Sequence, residues 1–212
     1  MAESFKTIQE QYWAGKSGND YIERNKVYWK EASAIAFFSE IFSRTSSVKS
    51  VFEFGANIGL NLKAIHQLMP EITLAALEIN AEAVKKLEEL GYVTTIHDSA
   101  LNYEVSSTYD FVLSKTFLIH INPEMLPALY QKIYASSKRY ICLAEYYNPV
   151  PVSIEYRGEK DILFKRDFAG DFLDMYDDLK LIDYGFYYHR DNNFKQDDVT
   201  WFLLEKDNIG CA

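Results

Sequence analysis

Val51-Phe-Glu-Phe-Gly55-Ala-Asn-Ile-Gly59 decides the fold of this chain. Val51, Phe52 and Phe54 read as a short apolar strand. Gly55 and Gly59 read as a tight turn, and Leu60, Leu62, Ile65, Leu68 and Met69 continue it as an amphipathic helix. Strand, glycine turn and helix in that order form the nucleotide-binding edge of a doubly wound sheet. Gly55 permits backbone angles that a side chain would oppose, and lets the main chain approach a ligand closely. Asn57 lies between the two glycines, and Asn tolerates left-handed angles better than most residues. Glu53, two residues before Gly55, modifies the reading. A pyrophosphate site uses free N–H groups without a negative charge beside them. A carboxylate here suits a ligand with a cationic end.

Outward from this stretch the pattern alternates. Residues 1–47 read as helical with a break at Gly15–Gly18, and residues 29–42 carry apolar side chains at helical spacing. After Pro70 come a strand at 73–79, a helix at 81–90 ended by Gly91, and a strand at 93–97. A fourth strand follows at 109–114, a helix at 123–136 with Asn122 as N-cap, and a fifth strand at 139–145. Residues 148–168, rich in Pro, Arg and Lys, break the rhythm and read as a long irregular segment of functional type. A helix at 171–178, closing strands at 179–188 and 199–205, and a polar connection at 191–198 complete the chain. The expectation is an α/β fold: a mostly parallel seven-stranded sheet with helices on both faces. Residues 1–47 would form a helical lid on the domain of residues 48–212.

Composition narrows the function. The 212 residues suffice for one domain, and 48% apolar content is that of a globular chain. A formal charge of −9 disfavours nucleic acid as a partner. The sequence shows neither a run of about eighteen apolar residues nor a secretory leader, so no membrane role is expected. Two cysteines, Cys142 and Cys211, build no disulfide framework, and a cytoplasmic setting is the simplest inference. No paired Cys or His spacing suits a metal, and the phosphate-binding motif of ATPases is absent.

Acids fall at the ends of the first three strands: Glu53, Glu78 and Asp98. Ligands of open parallel sheets bind beyond those ends. Glu78, 23 residues after Gly55, matches a ribose diol with two acceptor oxygens. Asp98, with Ser99 after it, is placed for an adenine amine. Each acid alone reads equally as a helix cap or a solvated group; the ordered set is harder to dismiss. With these residues in view, Glu53-Phe-Gly55-Ala-Asn57-Ile-Gly59 resembles the acidic glycine loop of class I S-adenosylmethionine-dependent methyltransferases. The resemblance implies the Rossmann-like methyltransferase fold and S-adenosyl-L-methionine as cofactor. It implies a cofactor set of Glu53, Gly55, Asn57, Gly59, Glu78, Ile79, Asp98, Ser99 and Lys115, with Arg24 of the lid pairing with the methionine carboxylate. Trp13, Tyr21 and Asn25 share that lid segment, the aromatics also reading as helix packing.

A narrower resemblance rests on Leu113-Ser-Lys-Thr-Phe-Leu-Ile-His-Ile-Asn-Pro123, Ala144-Glu-Tyr-Tyr-Asn-Pro-Val-Pro-Val152, Glu155-Tyr-Arg-Gly158 and Leu163-Phe-Lys-Arg-Asp-Phe-Ala-Gly170, with Tyr12-Trp-Ala-Gly15 and Gly18-Asn-Asp-Tyr-Ile-Glu-Arg-Asn25. These are similar to the methylases associated with pseudaminic acid biosynthesis. That likeness implies methylation of a small molecule, a sugar or sugar nucleotide of acidic-sugar or surface-glycan biosynthesis.

On the acceptor side, His120 follows the fourth strand and is the candidate base; it reads equally as a loop anchor. Methyl transfer needs a base only when the attacking atom must lose a proton. Glu145, Tyr146 and Tyr147 end the fifth strand and are expected to point toward the pocket, the two tyrosines as catalytic candidates. Arg157, Lys165 and Arg166 suggest an anionic acceptor, or else ion pairs with Glu155, Asp161 and Asp167. Two other functions compete. A nicotinamide-dependent oxidoreductase is opposed by Glu53 and by the lack of a closer glycine triplet. A non-catalytic cofactor-binding subunit is the other.

Overall fold

A computed structural model describes residues 5–25 and 30–207. Cys211 and the side chain of Asn25 lie outside the described residues. The strands are β1 (Ser50–Phe54), β2 (Thr73–Glu78), β3 (Val93–His97), β4 (Tyr109–Lys115), β5 (Ser137–Glu145), β6 (Val152–Tyr156), β7 (Glu159–Lys165), β8 (Leu179–Tyr187) and β9 (Val199–Lys206). The helices are α1 (Ile8–Ala14), α2 (Lys16–Asn25), α3 (Lys30–Phe42), α4 (Leu60–Leu68), α5 (Ala81–Glu88), α6 (Leu126–Ser136) and α7 (Phe168–Met175). Seven strands form one sheet in the order β3-β2-β1-β4-β5-β9-β8. Neighbours from β3 to β5 run parallel, and β9 is antiparallel to both β5 and β8. The chain reverses at β1, between β2 and β4, which is where an open sheet of this kind opens a crevice.

Alternating side chains fill two cores. Phe52, Phe54, Val112, Ile141 and Leu143 face one side of the sheet, with Leu126, Leu129 and Ile133 of α6 and Phe172 of α7. Val51, Leu74, Phe111, Leu113 and Cys142 face the other side, with Phe37, Phe38 and Ile41 of α3 and Leu62 and Ile65 of α4. Each such apolar side chain contributes roughly 1.5–3 kcal/mol on burial. The middle strands are buried on both faces, so they read as continuous apolar runs. α3 belongs to this layer, while α1 and α2 lie beyond the strand ends over the crevice.

Two expectations needed revision. Residues 148–168 are not irregular: β6 and β7 pair as an antiparallel hairpin. Its turn is Arg157-Gly158, with φ of 55° and 85°. Two left-handed residues match the twist of a two-residue hairpin, with Gly at the second position. The third late helix begins at Phe168, three residues before the expected start, because Asp167 accepts from the Gly170 N–H at 2.8 Å as its N-cap.

Candidate functional site

The floor of the crevice is the turn after β1. Gly55, Asn57 and Gly59 all have left-handed angles, φ 70°, 49° and 75°. The Gly55 and Ala56 N–H groups donate to the Leu77 carbonyl, which ties the turn to β2. Gly55 is essential for a second reason: a Cβ there would lie 2.3 Å from the Phe117 ring. Gly59 is the left-handed N-cap of α4, and a Cβ on it would press on Leu87 of α5. Its position serves helix packing, away from the crevice lining.

The three acids stand where the strands end. Glu53 is 1% exposed. One of its oxygens accepts from Asn61 Nδ2 at 2.6 Å, while the other is buried without a partner. Burial pushes its carboxyl up to about 8, against the Asn61 hydrogen bond and the nearby Lys115 charge. Glu78 is also buried, and burial raises its pKa against the pull of backbone hydrogen bonds. Its oxygens accept from the N–H groups of Asn57 at 2.7 Å and Asn80 at 2.8 Å, joining the glycine turn to the start of α5. Each oxygen keeps further lone-pair capacity for a ligand hydroxyl. Asp98 accepts from the Ser99 N–H at 2.7 Å, and the Ser99 hydroxyl donates to Glu10 of α1.

Two lobes of space meet over the turn, at Tyr21, Gly55, Asn57 and Thr116. The first, about 830 Å³ including its open mouth, runs from Asp98 and Ser99 past Glu78 and Ile79 to His120. The second, about 810 Å³ likewise open, is lined by Asn61, Lys115 and the 195–197 stretch of the β8–β9 connection. Helices α1 and α2 cover the first lobe with Gln9, Glu10, Trp13 and Tyr21. They are tied down at three points. Glu10 holds Ser99. Gln9 Nε2 donates to the Asp161 carbonyl at 2.6 Å, and Asn80 Nδ2 donates to the Trp13 carbonyl at 3.0 Å and Asn19 Oδ1 at 2.8 Å. Arg24 stacks over the Tyr21 ring, 5.4 Å from its centroid, and lines neither lobe.

His120 closes a single 3₁₀ turn after β4. Its Nδ1 lies 2.8 Å from the Ile162 carbonyl of β7. A carbonyl only accepts, so Nδ1 carries the proton and Nε2 keeps its lone pair. The ring sits 4.4 Å from Trp13 and 5.3 Å from Tyr156 between centroids, and burial pushes its pKa down to about 4. At neutral pH it is an uncharged acceptor. Nδ1 thus anchors the loop to the hairpin, while the free lone pair of Nε2 is that of a weaker base than an ordinary imidazole.

The other acceptor-side candidates scatter. Tyr146 is partly buried, burial raising its phenol, with Lys165 Nζ 5.3 Å from its ring centroid. Tyr147 is 41% exposed and packs on Phe202. Arg157 occupies the exposed hairpin tip against Tyr156. Arg166 pairs with Asp171 at 2.8 Å, and Asp171 also accepts from the Tyr130 hydroxyl at 2.7 Å. Glu145 is 3% exposed and turns its carboxylate onto the loop before His120, accepting from Ser114 Oγ and from the Phe117 and Leu118 N–H groups.

Sequence reasoning missed Gln9, Glu10, Asn61, Asn80 and Phe117. Two carried a legible signal: Thr7-x-x-Glu10 is a capping box, both of whose reciprocal bonds form, and Asn80 stands as N-cap before the helix at 81. Among the described residues there is no group of three His, Cys, Asp or Glu side chains able to hold a metal ion. Among them, too, no helix is long and apolar enough to cross a membrane.

No protein-family model matches the chain, and no curated protein matches it by sequence. Solved structures match by shape. One is the magnesium protoporphyrin IX methyltransferase ChlM from Synechocystis with bound S-adenosylhomocysteine, at a TM-score of 0.67 and 13% identity, covering 95% of this chain and 100% of that one. Another is the plantazolicin methyltransferase BpumL in complex with a desmethyl analogue and S-adenosylhomocysteine, at 0.66 and 14%, covering 94% and 96%. A third is DhpI with S-adenosylhomocysteine, at 0.62 and 12%, covering 93% and 95%. At these identities the likeness establishes the fold, which is the Rossmann-like methyltransferase fold. Nothing among the matches favours the pseudaminic acid family over other methyltransferases.

Proposed function

We propose, on a Rossmann-like methyltransferase fold, that this chain is an S-adenosylmethionine-dependent methyltransferase acting on a small molecule. The observation that carries the reading is the buried, unpartnered oxygen of Glu53 beneath a left-handed glycine turn. Burial holds the free Glu53 carboxyl mostly protonated at neutral pH, and a ligand ammonium group beside it would favour the ionised form and partner the open oxygen. The residues present therefore fit the cofactor. Glu53 takes its α-ammonium, Glu78 its ribose hydroxyls, and Asp98 and Ser99 its adenine edge. Gly55, Asn57 and Ile79 form the surface beneath it, and Lys115 stands toward the carboxylate, while Arg24, stacked on Tyr21, lines neither lobe. Residues of α1 and α2 serve as the lid. When bound, the cofactor supplies an electrophilic methyl group on a sulfonium.

The chain's own task is to hold the acceptor in line and to exclude water, which supplies up to about 7–11 kcal/mol in well-oriented cases. Trp13, Tyr156 and the 117–120 loop close the space around His120. His120 Nε2 accepts a proton from an acceptor hydroxyl or amine. The hairpin of β6 and β7 forms the acceptor side, through the Ile162 carbonyl on His120 and the Asp161 carbonyl on Gln9. Lys165 and Arg157 are the cations left for an anionic group, since Arg166 is engaged by Asp171. A sugar or sugar-nucleotide acceptor is supported by the loop resemblance alone. A nicotinamide cofactor is opposed by Glu53, which would face a pyrophosphate.

Titration calorimetry with S-adenosylhomocysteine and, separately, NAD tests the cofactor. Mass detection of one added methyl group across an acceptor panel tests the reaction. Binding of NAD in place of S-adenosylhomocysteine overturns the proposal.

A further inference from the structure

We infer that Glu145 is a positioning residue for methyl transfer, its carboxylate holding the loop that presents His120. The inference rests on the reading just given, with His120 on the acceptor side.

Four donors converge on this one side chain. Oε1 accepts from Ser114 Oγ at 2.7 Å, from the Leu118 N–H at 3.0 Å and from the Phe117 N–H at 3.2 Å; Oε2 accepts from the Ile119 N–H at 3.4 Å. The loop needs such a hold. Thr116 has a left-handed φ of 52°, a costly angle for a β-branched residue. The turn Leu118–His120 is a single 3₁₀ turn whose first N–H groups have no partner within it. Glu145 supplies that partner from the neighbouring strand, as an N-cap would from within the chain. Phe117, which the carboxylate fixes through its N–H, is the same residue that packs where Gly55 lacks a Cβ. The loop is thus held between Glu145 on one side and the floor of the crevice on the other.

The arrangement is complete only while Glu145 is ionised. A protonated carboxyl adds an O–H donor among four donors and leaves them a weaker, uncharged acceptor. Burial raises the Glu145 pKa to about 7, against the pull of Ser114 and the loop N–H groups. The titratable groups beside it are the phenols of Tyr130 on α6 and Tyr146 after β5, and the thiol of Cys142 on its own strand. Burial pushes all three upward, so they stay neutral through this range. His120, held down near 4, does not titrate there either. Glu53, beneath the Gly55 turn on β1 next to β4, is pushed up to about 8, so the loop transition is assigned to Glu145 by its midpoint near 7 and its loss in Glu145→Gln.

The test is nuclear magnetic resonance of the full chain, free and with S-adenosylhomocysteine. The amide protons of Phe117, Leu118 and Ile119 and the ring nitrogens of His120 are followed across neutral pH. In the wild type all should move with one midpoint near 7. In Glu145→Gln that shared midpoint should vanish while the protein still melts cooperatively and still binds S-adenosylhomocysteine. Ser114→Ala, which removes one stabilising donor but keeps the charge, should raise the midpoint and retain the His120 response; it also serves if the Gln variant does not fold. Loop amides that fail to titrate near 7 overturn the inference, as does a His120 response that survives in Glu145→Gln. Loss of S-adenosylhomocysteine binding by the wild type would instead overturn the cofactor reading, with the loop measurement still standing.

Discussion

Replacing Gly55 with Ala separates two costs that the structure keeps distinct. The first is conformational. At φ 70° an L side chain is left-handed, which costs about 1–2 kcal/mol, reduced by about 0.4–1 kcal/mol because the unfolded chain also stiffens. The second is steric. The added methyl would lie 2.3 Å from Phe117 Cδ2, whereas ordinary contact begins at 3.4 Å, so the ring must withdraw by roughly 1 Å. Overpacking of this kind costs about 1–3 kcal/mol. Gly91 isolates the first cost, since it has φ 72° with no atom within 4 Å of its added Cβ. Gly91→Ala should therefore lower Tm by only a few degrees, at about 2–4 °C per kcal/mol for a chain of this size. Gly55→Ala should lower it by about 2–12 °C more. It should also displace Phe117 and the His120 loop, and a shift of about 1 Å near reacting atoms can cost on the order of 100-fold in rate. Thermal melts of both variants, with calorimetric titration of S-adenosylhomocysteine, read these terms. A double-mutant cycle of Gly55→Ala with Phe117→Ala, which carries its own packing loss, should show the steric part as a favourable coupling. Equal melting of the two single variants, with wild-type ligand affinity in Gly55→Ala, would refute the reasoning.

Four further outcomes follow from the same geometry. Glu78→Gln turns an NH2 group toward a backbone N–H of Asn57 or Asn80, so it should cost about 1–3 kcal/mol in denaturant melts and weaken S-adenosylhomocysteine at least tenfold; unchanged affinity would remove Glu78 from the site. Glu53→Gln should weaken the same ligand yet gain stability relative to wild type as pH rises toward and past 8, because the raised folded pKa makes the wild type lose stability from about 4.5 upward; a pH-independent difference between the two proteins would contradict the burial argument. His120→Asn should cut turnover roughly 100-fold or more. Because the His120 pKa is depressed, wild-type stability contributed by the neutral ring is present above about 6.5 and lost as pH falls toward 4, so the variant should gain on the wild type over that window in urea melts. Ser99→Ala deletes the hydroxyl that meets Glu10, and stopped-flow release of S-adenosylhomocysteine should accelerate about fivefold, equivalent to one hydrogen bond of about 1 kcal/mol; an unchanged release rate would show that this contact does not hold the lid.

The parallel core was legible because its signal is local. Val51 to Gly59 carries strand and turn within nine consecutive residues, the helix follows at once from Leu60, and acids stand at the ends of the next two strands. Lateral sheet order cannot be read from periodicity, yet alternating strands and helices restrict it strongly. The hairpin of β6 and β7 was obscured because its polar, largely exposed strands lack clean apolar alternation, and Arg157 stands at a left-handed position usually held by Asn, Asp or Gly. Candidate residues standing at their own strand ends were named from the sequence. Residues whose role is contact across the chain were not. Gln9 meets Asp161, and Glu10 meets Ser99, across separations that no spacing rule spans. Glu145 was read as pocket-facing, but its partners are amides of another loop, and backbone donors leave no trace in residue identity.

Asn80 shows what such a contact entails for the protein's history of change. Its Oδ1 accepts from the Glu82 and Ala83 N–H groups at the start of α5, its own N–H donates to Glu78, and its Nδ2 reaches Trp13 and Asn19 in the cover. Gly18 must lack a Cβ because that atom would press on the Trp13 carbonyl and on Asn80 Nδ2. Substitutions at Asn80, Gly18 and Asn19 should therefore be strongly non-additive, as groups sharing one partner are. A variant lid from another chain cannot be grafted here as an independent part. It must bring a carbonyl and a side-chain acceptor to one amide, or the start of α5 beside Glu78 loses its tie to the roof.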